Sequence, residues 1–182
     1  MHPVLANKLF HKLCAFGALQ LNLNMSIVIR KATENDIPRV LELIKELAVY
    51  EREPDAVVID EAELIKDGFG ENPAYGLFVG EDEKQIVGIA LYYYRYSTWN
   101  GKVLYLEDLI VTESERGKGY GRVLLNAILK EADEQNCRLC TWQVLDWNEP
   151  SINFYKSIGA NLDESWINCT VKKSQYKSVY NQ

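Results

Sequence analysis

Between Arg116 and Arg122 the chain reads Arg-Gly-Lys-Gly-Tyr-Gly-Arg, with glycine at every second position. Glycines let successive main-chain N–H groups turn toward one point and let a ligand come close to the backbone. A helix starting there adds unsatisfied donors and the positive end of its dipole, so Gly117, Lys118, Gly119, Tyr120, Gly121 and Arg122, led by Arg116, could cradle a phosphate or diphosphate. The spacing is neither the dinucleotide G-x-G-x-x-G nor the G-x-x-x-x-G-K-[ST] of nucleotide triphosphate loops. Taken alone it is equally a flexible connection; its place in the chain favours a phosphate site. Just before it, Glu107 and Asp108 stand side by side between Leu106 and Leu109. Buried charge is expensive, so adjacent acids in an apolar run call for a reason, and a pocket carboxylate that takes a proton is one. An ordinary acidic pair at a strand end is the other reading.

The elements around these residues follow from their periodicity. Leu104–Val111 is β-branched and aromatic and predicts a strand, on which Glu107 and Asp108 face opposite sides. After Gly121, Val123, Leu124, Ala127, Ile128 and Ala132 recur at helical spacing and predict a helix to about Asn136. Upstream, Ile27–Arg30 predicts a strand. Thr33 with Asp36 marks a helix start, and Ile37, Val40, Leu41, Ile44, Leu47 and Ala48 continue that helix to about Tyr50. A shorter helix, Glu61–Asp67, should end at Gly68. Tyr75–Gly80 and Gln85–Tyr96 read as strands, and Asn100-Gly101 as a hairpin turn into the central strand. Leu139–Leu145 reads as a strand. Asn148 is placed to cap a helix closed by Gly159, and Trp166–Val171 reads as a last strand. The fold class is α/β, a mixed, mostly antiparallel sheet flanked by helices in the order β-α-α-β-β-β-α-β-α-β.

The run Arg116–Gly121 after a strand resembles the acetyl-CoA loop of the GNAT N-acetyltransferase superfamily. Trp147–Ala160, WNEPSINFYKSIGA, resembles the matching segment of the diamine (spermidine/spermine) acetyltransferases, and Tyr96–Asp108, YSTWNGKVLYLED, is similar to the thialysine N-epsilon-acetyltransferases. The resemblance spans Met25 to the C-terminal region and implies a single-domain GNAT fold over 25–182. It implies acetyl-CoA as co-substrate, with main chain at Leu109, Ile110 and Val111 lying along the pantetheine arm and Asn148 and Ser151 contacting the coenzyme from the other side. It assigns Glu107 as the amine-side carboxylate acting through water and Tyr155 as the acid beside the coenzyme sulfur. Tyr50, Glu51, Thr141, Trp142 and Gln143 become the acceptor contacts, with Tyr50 or Trp142 offering a cation–π face. Diamine acetyltransferases carry an acid where this chain has Ser97, a departure that weakens a polyamine assignment.

Composition narrows the rest. The 182 residues are 47% hydrophobic and 25% charged, and 26 acids outweigh 20 Lys and Arg for a net charge of −6. An acidic chain is a poor nucleic-acid binder and attracts cations such as amines. Nothing approaches the run of about 18 apolar residues that a membrane span needs. Cys137-x-x-Cys140 stands without the further ligands that zinc requires, both histidines being His2 and His11; no metal is expected, and free thiols in a reducing cytoplasm are the better reading. Residues 1–24 hold Lys8, Lys12 and a short apolar patch without a clean cleavage site, and read as an upstream extension outside the fold. The expected activity is direct acetyl transfer from acetyl-CoA to a primary amine of a small cationic acceptor, a polyamine or a lysine-like amino acid, by a homodimer. Acetylation of protein amines and acyl-CoA sensing without catalysis are the alternatives.

Overall fold

The computed structural model describes residues 27–181. The extension expected over 1–24 lies outside the described residues. The chain divides into two units, residues 1–142 and 143–182, taken in turn below.

In the first unit, strands β1 (Val28–Lys31), β2 (Gly76–Asp82), β3 (Gln85–Ser97), β4 (Gly101–Val111) and β5 (Leu139–Thr141) form one sheet in the order β1-β2-β3-β4-β5. The first four pair antiparallel and β5 joins β4 in parallel, as the return through helix α3 (Tyr120–Glu134) requires. Helices α1 (Ile37–Tyr50) and α2 (Glu61–Phe69) cover one face, where Ile37, Val40, Leu43 and Leu64 pack on Leu77, Val79, Ile89, Leu91 and Ile110. Each such side chain removed from water contributes about 1.5–3 kcal/mol. On the other face, Tyr120 and Val123 of α3 pack with Val87 and Val111. Among the described residues no helix is long and apolar enough to cross a membrane.

The helix start at Thr33–Asp36 is built as its residues predict. Asp36 accepts the Thr33 N–H at 2.7 Å and takes both guanidinium nitrogens of Arg30, at 2.7 and 2.9 Å. The end of α2 differs from expectation. Gly68 lies inside the helix, and a Cβ there would stand 2.4 Å from the Tyr75 ring, so this glycine makes room for a side chain and stops nothing. β5 is also shorter than the expected Leu139–Leu145, because its pairing with β4 covers only Val103–Tyr105.

In the second unit, helix α4 (Glu149–Ser157) opens as expected, with the Asn148 side chain accepting the Ser151 N–H at 3.3 Å. Gly159 follows in the left-handed region at φ +81°. The strand expected at Trp166–Val171 is absent. Trp166 and Ile167 are 76% and 87% exposed, and no strand pairs with the segment among the described residues. β propensity reports a fit to a half-buried pleated surface and gives no strand where none is offered. A short helix, α5 (Tyr176–Tyr180), follows.

Candidate active site

The loop after β4 has the geometry its glycines suggest. Gly117 and Gly119 sit at φ +81° and +84°, conformations that side chains rarely adopt. A Cβ on Gly117 would meet nothing within 4 Å, so the space before the loop is open. Gly119 is the N-cap of α3, and no side chain caps that helix; its first turn carries no acid and does carry Arg122. Helix starts ordinarily draw a Ser, Thr, Asp or Asn cap and acidic residues. A helix start without a capping side chain or an acidic first turn presents its positive dipole end, which fits a coenzyme diphosphate.

Side chains of the loop divide the work. Tyr120 is buried, its hydroxyl donating to Asp82 at 2.6 Å, so it ties the loop to the β2–β3 hairpin. Lys118 pairs with Glu115 and is otherwise exposed, and Arg122 is exposed on the first turn of α3. Arg116 donates from Nε to the Val111 carbonyl at 2.9 Å, reaches Glu46 at 3.8 Å, and lies over the Tyr50 ring at 4.8 Å. In this structure its side chain braces the end of β4 against α1.

β4 itself is irregular where it matters. On β3 the neighbours Leu91 and Tyr92 pair with Asp108 and Leu106, which leaves Glu107 as an extra, unpaired residue. Such a bulge breaks the two-residue alternation and re-aims side chains, and bulges gather beside active sites. The expectation that Glu107 and Asp108 face opposite ways is therefore corrected: both line one cleft of about 310 Å³. Its walls are Ile44, Ile59, Leu64, Ala74, Tyr75 and Leu91, its other charged residues are Glu63 and Asp67 of α2, and no Lys or Arg among the described residues lines it. Burial, then the neighbouring Glu107 and Glu51, push the Asp108 carboxyl up to about 6. β5 stops opposite Tyr105, so the β4 edge from Leu106 through Leu109, Ile110 and Val111 lies beyond that pairing. Main chain of this kind can pair with an extended ligand as a strand would.

The remaining acceptor contacts are placed as follows. Glu51 caps the C-terminus of α1 and, though exposed at its tip, is pushed up by partial burial. Tyr50 precedes it, with one ring face taken by Arg116. Thr141 ends β5, and its buried Oγ1 has no hydrogen-bond partner among the described residues. Trp142 follows it, half-buried. In the second unit, Gln143 donates to Asn168 at 2.8 Å. There too, Asn148 and Tyr155 are buried, Ser151 is half-buried, and the Phe154 ring stands 5.3 Å from the Tyr155 ring, tilted by 51°. Burial pushes the Tyr155 hydroxyl up to about 12, so it keeps its proton at neutral pH.

The description "Acetyltransferase (GNAT) family" matches residues 37–160. The chain belongs to the acetyltransferase (GNAT) family. This acetyltransferase is 42% identical over 142 residues to thialysine N-epsilon-acetyltransferase of Bos taurus, covering 74% of this chain and 84% of that one. It is 40% identical over 148 residues to spermidine/spermine N(1)-acetyltransferase-like protein 1 of Homo sapiens, covering 76% of this chain; there it spans only about a fifth, 21%, of the relative. An integron cassette protein from V. cholerae shares the fold, with a TM-score of 0.70, 23% identity, and coverage of 87% of this chain and 99% of that one.

Two features of the acetyltransferase site escape a reading of the sequence. Glu46 on α1 accepts the Thr112 hydroxyl at 2.8 Å and the Glu113 N–H at 2.7 Å and pairs with Arg116, which fixes the turn leading into the glycine loop. It lies on a helix 66 residues before Thr112 and looks like any solvated helix-face acid. Glu63 and Asp67 look the same, although their spacing of four places both on one helical face, a signal that could have grouped them.

Proposed function

We propose that this acetyltransferase moves acetyl from acetyl-CoA directly to the primary amine of a small cationic acceptor, as a cytoplasmic homodimer of the kind the resemblance implies. The observation that carries the reading is the cleft, in which four carboxylates stand among apolar walls with no cationic lining residue among the described residues. An alkyl chain ending in ammonium matches such a lining, the chain on Ile44, Leu64 and Leu91 and the charge at the acids.

The chemistry follows from the residues. Acetyl-CoA supplies the acetyl group as a thioester. At pH 7.4 only about one alkyl amine in a thousand is neutral, a deficit of roughly 4 kcal/mol. Glu107 takes the ammonium proton, directly or through water, and the freed nitrogen forms the new C–N bond as the C–S bond breaks. Tyr155 gives its proton to the departing sulfur and is reprotonated by the second proton that the acetylated nitrogen sheds, so the products are an acetylated amine and the free thiol, with one proton left on Glu107 for solvent. The loop from Arg116 to Arg122 holds the diphosphate, main chain from Leu109 to Val111 pairs with the pantetheine arm, and Asn148 and Ser151 complete the coenzyme contacts. Tyr50, Glu51, Thr141, Trp142 and Gln143 are the acceptor contacts of this reading.

Release of coenzyme thiol with lysine, thialysine, spermidine and a peptide with a free N-terminus tests it. Turnover on the small amines at rates well above the peptide is the expected result. Turnover on the peptide alone, or none on any amine while acetyl-CoA still binds, overturns it.

A further inference from the structure

Past the cleft, on the same face of the sheet as Leu91, β3 continues to Tyr93 and Arg95 at the two-residue period of a strand. Tyr93 pairs across with Tyr105 of β4, and their rings stand 5.2 Å apart at 33°. The Arg95 guanidinium lies over the Tyr105 ring at 5.0 Å. Two residues along β4 from Tyr105 comes Glu107. Burial first, then Glu107, raise the Tyr93 and Tyr105 hydroxyls, and Arg95 lowers both, so a carboxylate and a guanidinium act on the same pair of rings. Arg95 is exposed, and among the described residues its guanidinium enters no ion pair. A cation stacked on an aromatic ring, with its fork of donors unspent, is suited to a carboxylate.

We propose that Arg95 receives the α-carboxylate of the acceptor, so that the site selects a lysine-like amino acid, its side-chain amine at Glu107, over a polyamine. This rests on the acceptor reading above and narrows it. Two residues of regular strand advance about 6–7 Å, which sets the upper end of the step from Tyr105 to Glu107 because the bulge bends the strand there. An extended lysine spans about 7 Å from carboxylate carbon to terminal nitrogen, at roughly 1.25 Å of advance per bond. A polyamine of the same length would bring a second ammonium to Arg95, a like-charge contact that discriminates against it. Tyr93 and Tyr105 flank the methylene chain between the two charges.

The test compares lysine with cadaverine, which is lysine without its carboxylate, in the wild-type enzyme, Arg95→Gln and Arg95→Lys. The wild type should favour lysine in kcat/KM by about tenfold or more, the discrimination expected of a site built for a group one substrate lacks. Arg95→Gln should abolish that preference, losing about 10–100-fold on lysine, mostly in KM, while cadaverine improves severalfold as the like-charge contact is removed. Arg95→Lys, which keeps the charge without the fork, should recover part of the loss. Equal losses on both acceptors, an unchanged preference, or a wild type that favours cadaverine would each overturn the assignment. A wild type that acetylates spermidine but neither of these amines overturns this proposal alone, and one that acetylates no small amine removes the acceptor reading itself, and this proposal with it.

Discussion

The Glu46 carboxylate holds Thr112 by its hydroxyl at 2.8 Å, joining the C-terminal half of α1 to the residue that follows β4. The same carboxylate accepts the next N–H and pairs with Arg116, whose guanidinium reaches back to the Val111 carbonyl and lies over Tyr50. One acid thus sets where the central strand ends and where the glycine loop begins. Glu46→Ala should weaken acetyl-CoA binding by about 3–30-fold through loss of charge-assisted hydrogen bonds, and leave the acceptor KM within about twofold. Calorimetry with acetyl-CoA checks the first expectation and steady-state kinetics the second.

Asp108 should trade stability for function. Its carboxyl is raised to about 6 in the folded protein, so folding favours its neutral form. The penalty is therefore present above pH 6 and disappears as the pH falls through 6 toward the ordinary carboxylate range. Asp108→Asn should stabilise the protein by roughly 2 kcal/mol at pH 8, with little difference at pH 4, and should weaken acceptor binding. Denaturant unfolding at both pH values, with acceptor KM measured alongside, tests the pair of effects.

Asp36 should behave in the opposite sense. Arg30 and the Thr33 N–H hold its carboxyl well below the usual carboxylate range. Its stabilisation is fully present above the unfolded value near 4 and is lost as the pH falls below that. Asp36→Asn should cost about 1.5–3 kcal/mol at pH 7, seen as a lower Tm, and the difference from wild type should shrink in acid.

How far these residues could be read in advance depends on the range of their contacts. The central strand, the glycine loop and the helix after it are set by neighbours in sequence, and the structure places all three as their periodicity and turn residues predict. The Thr33–Asp36 start is local too. What could not be read is what distant partners decide. Nothing in Leu106-Glu107-Asp108 announces a bulge, because it arises from register against Leu91 and Tyr92. Gly68 reads as a helix stop until Tyr75 is seen beside it. Trp166–Val171 has strand composition but no partner strand among the described residues, and the contacts of Arg116 with Glu46 and Tyr50 are set by residues distant in sequence.

Tyr155→Phe keeps the ring and removes the proton. Because the hydroxyl is raised to about 12, the wild type should show no loss of this acid below pH 10. The variant should lose about 100-fold in kcat, within the range for a general acid, with acetyl-CoA affinity unchanged. A single-turnover rate equal to that of the wild type would remove Tyr155 from the chemistry.

The central claim is that the carboxylate at the β4 bulge takes the acceptor's proton, and the pH dependence of Glu107→Gln tests it most directly. With acetyl-CoA saturating and lysine as acceptor, kcat/KM of the variant should fall about 100-fold or more at pH 7, and the deficit should narrow steadily toward pH 10 as free amine becomes abundant. A deficit of the same size at every pH, or none at pH 7, would contradict the account.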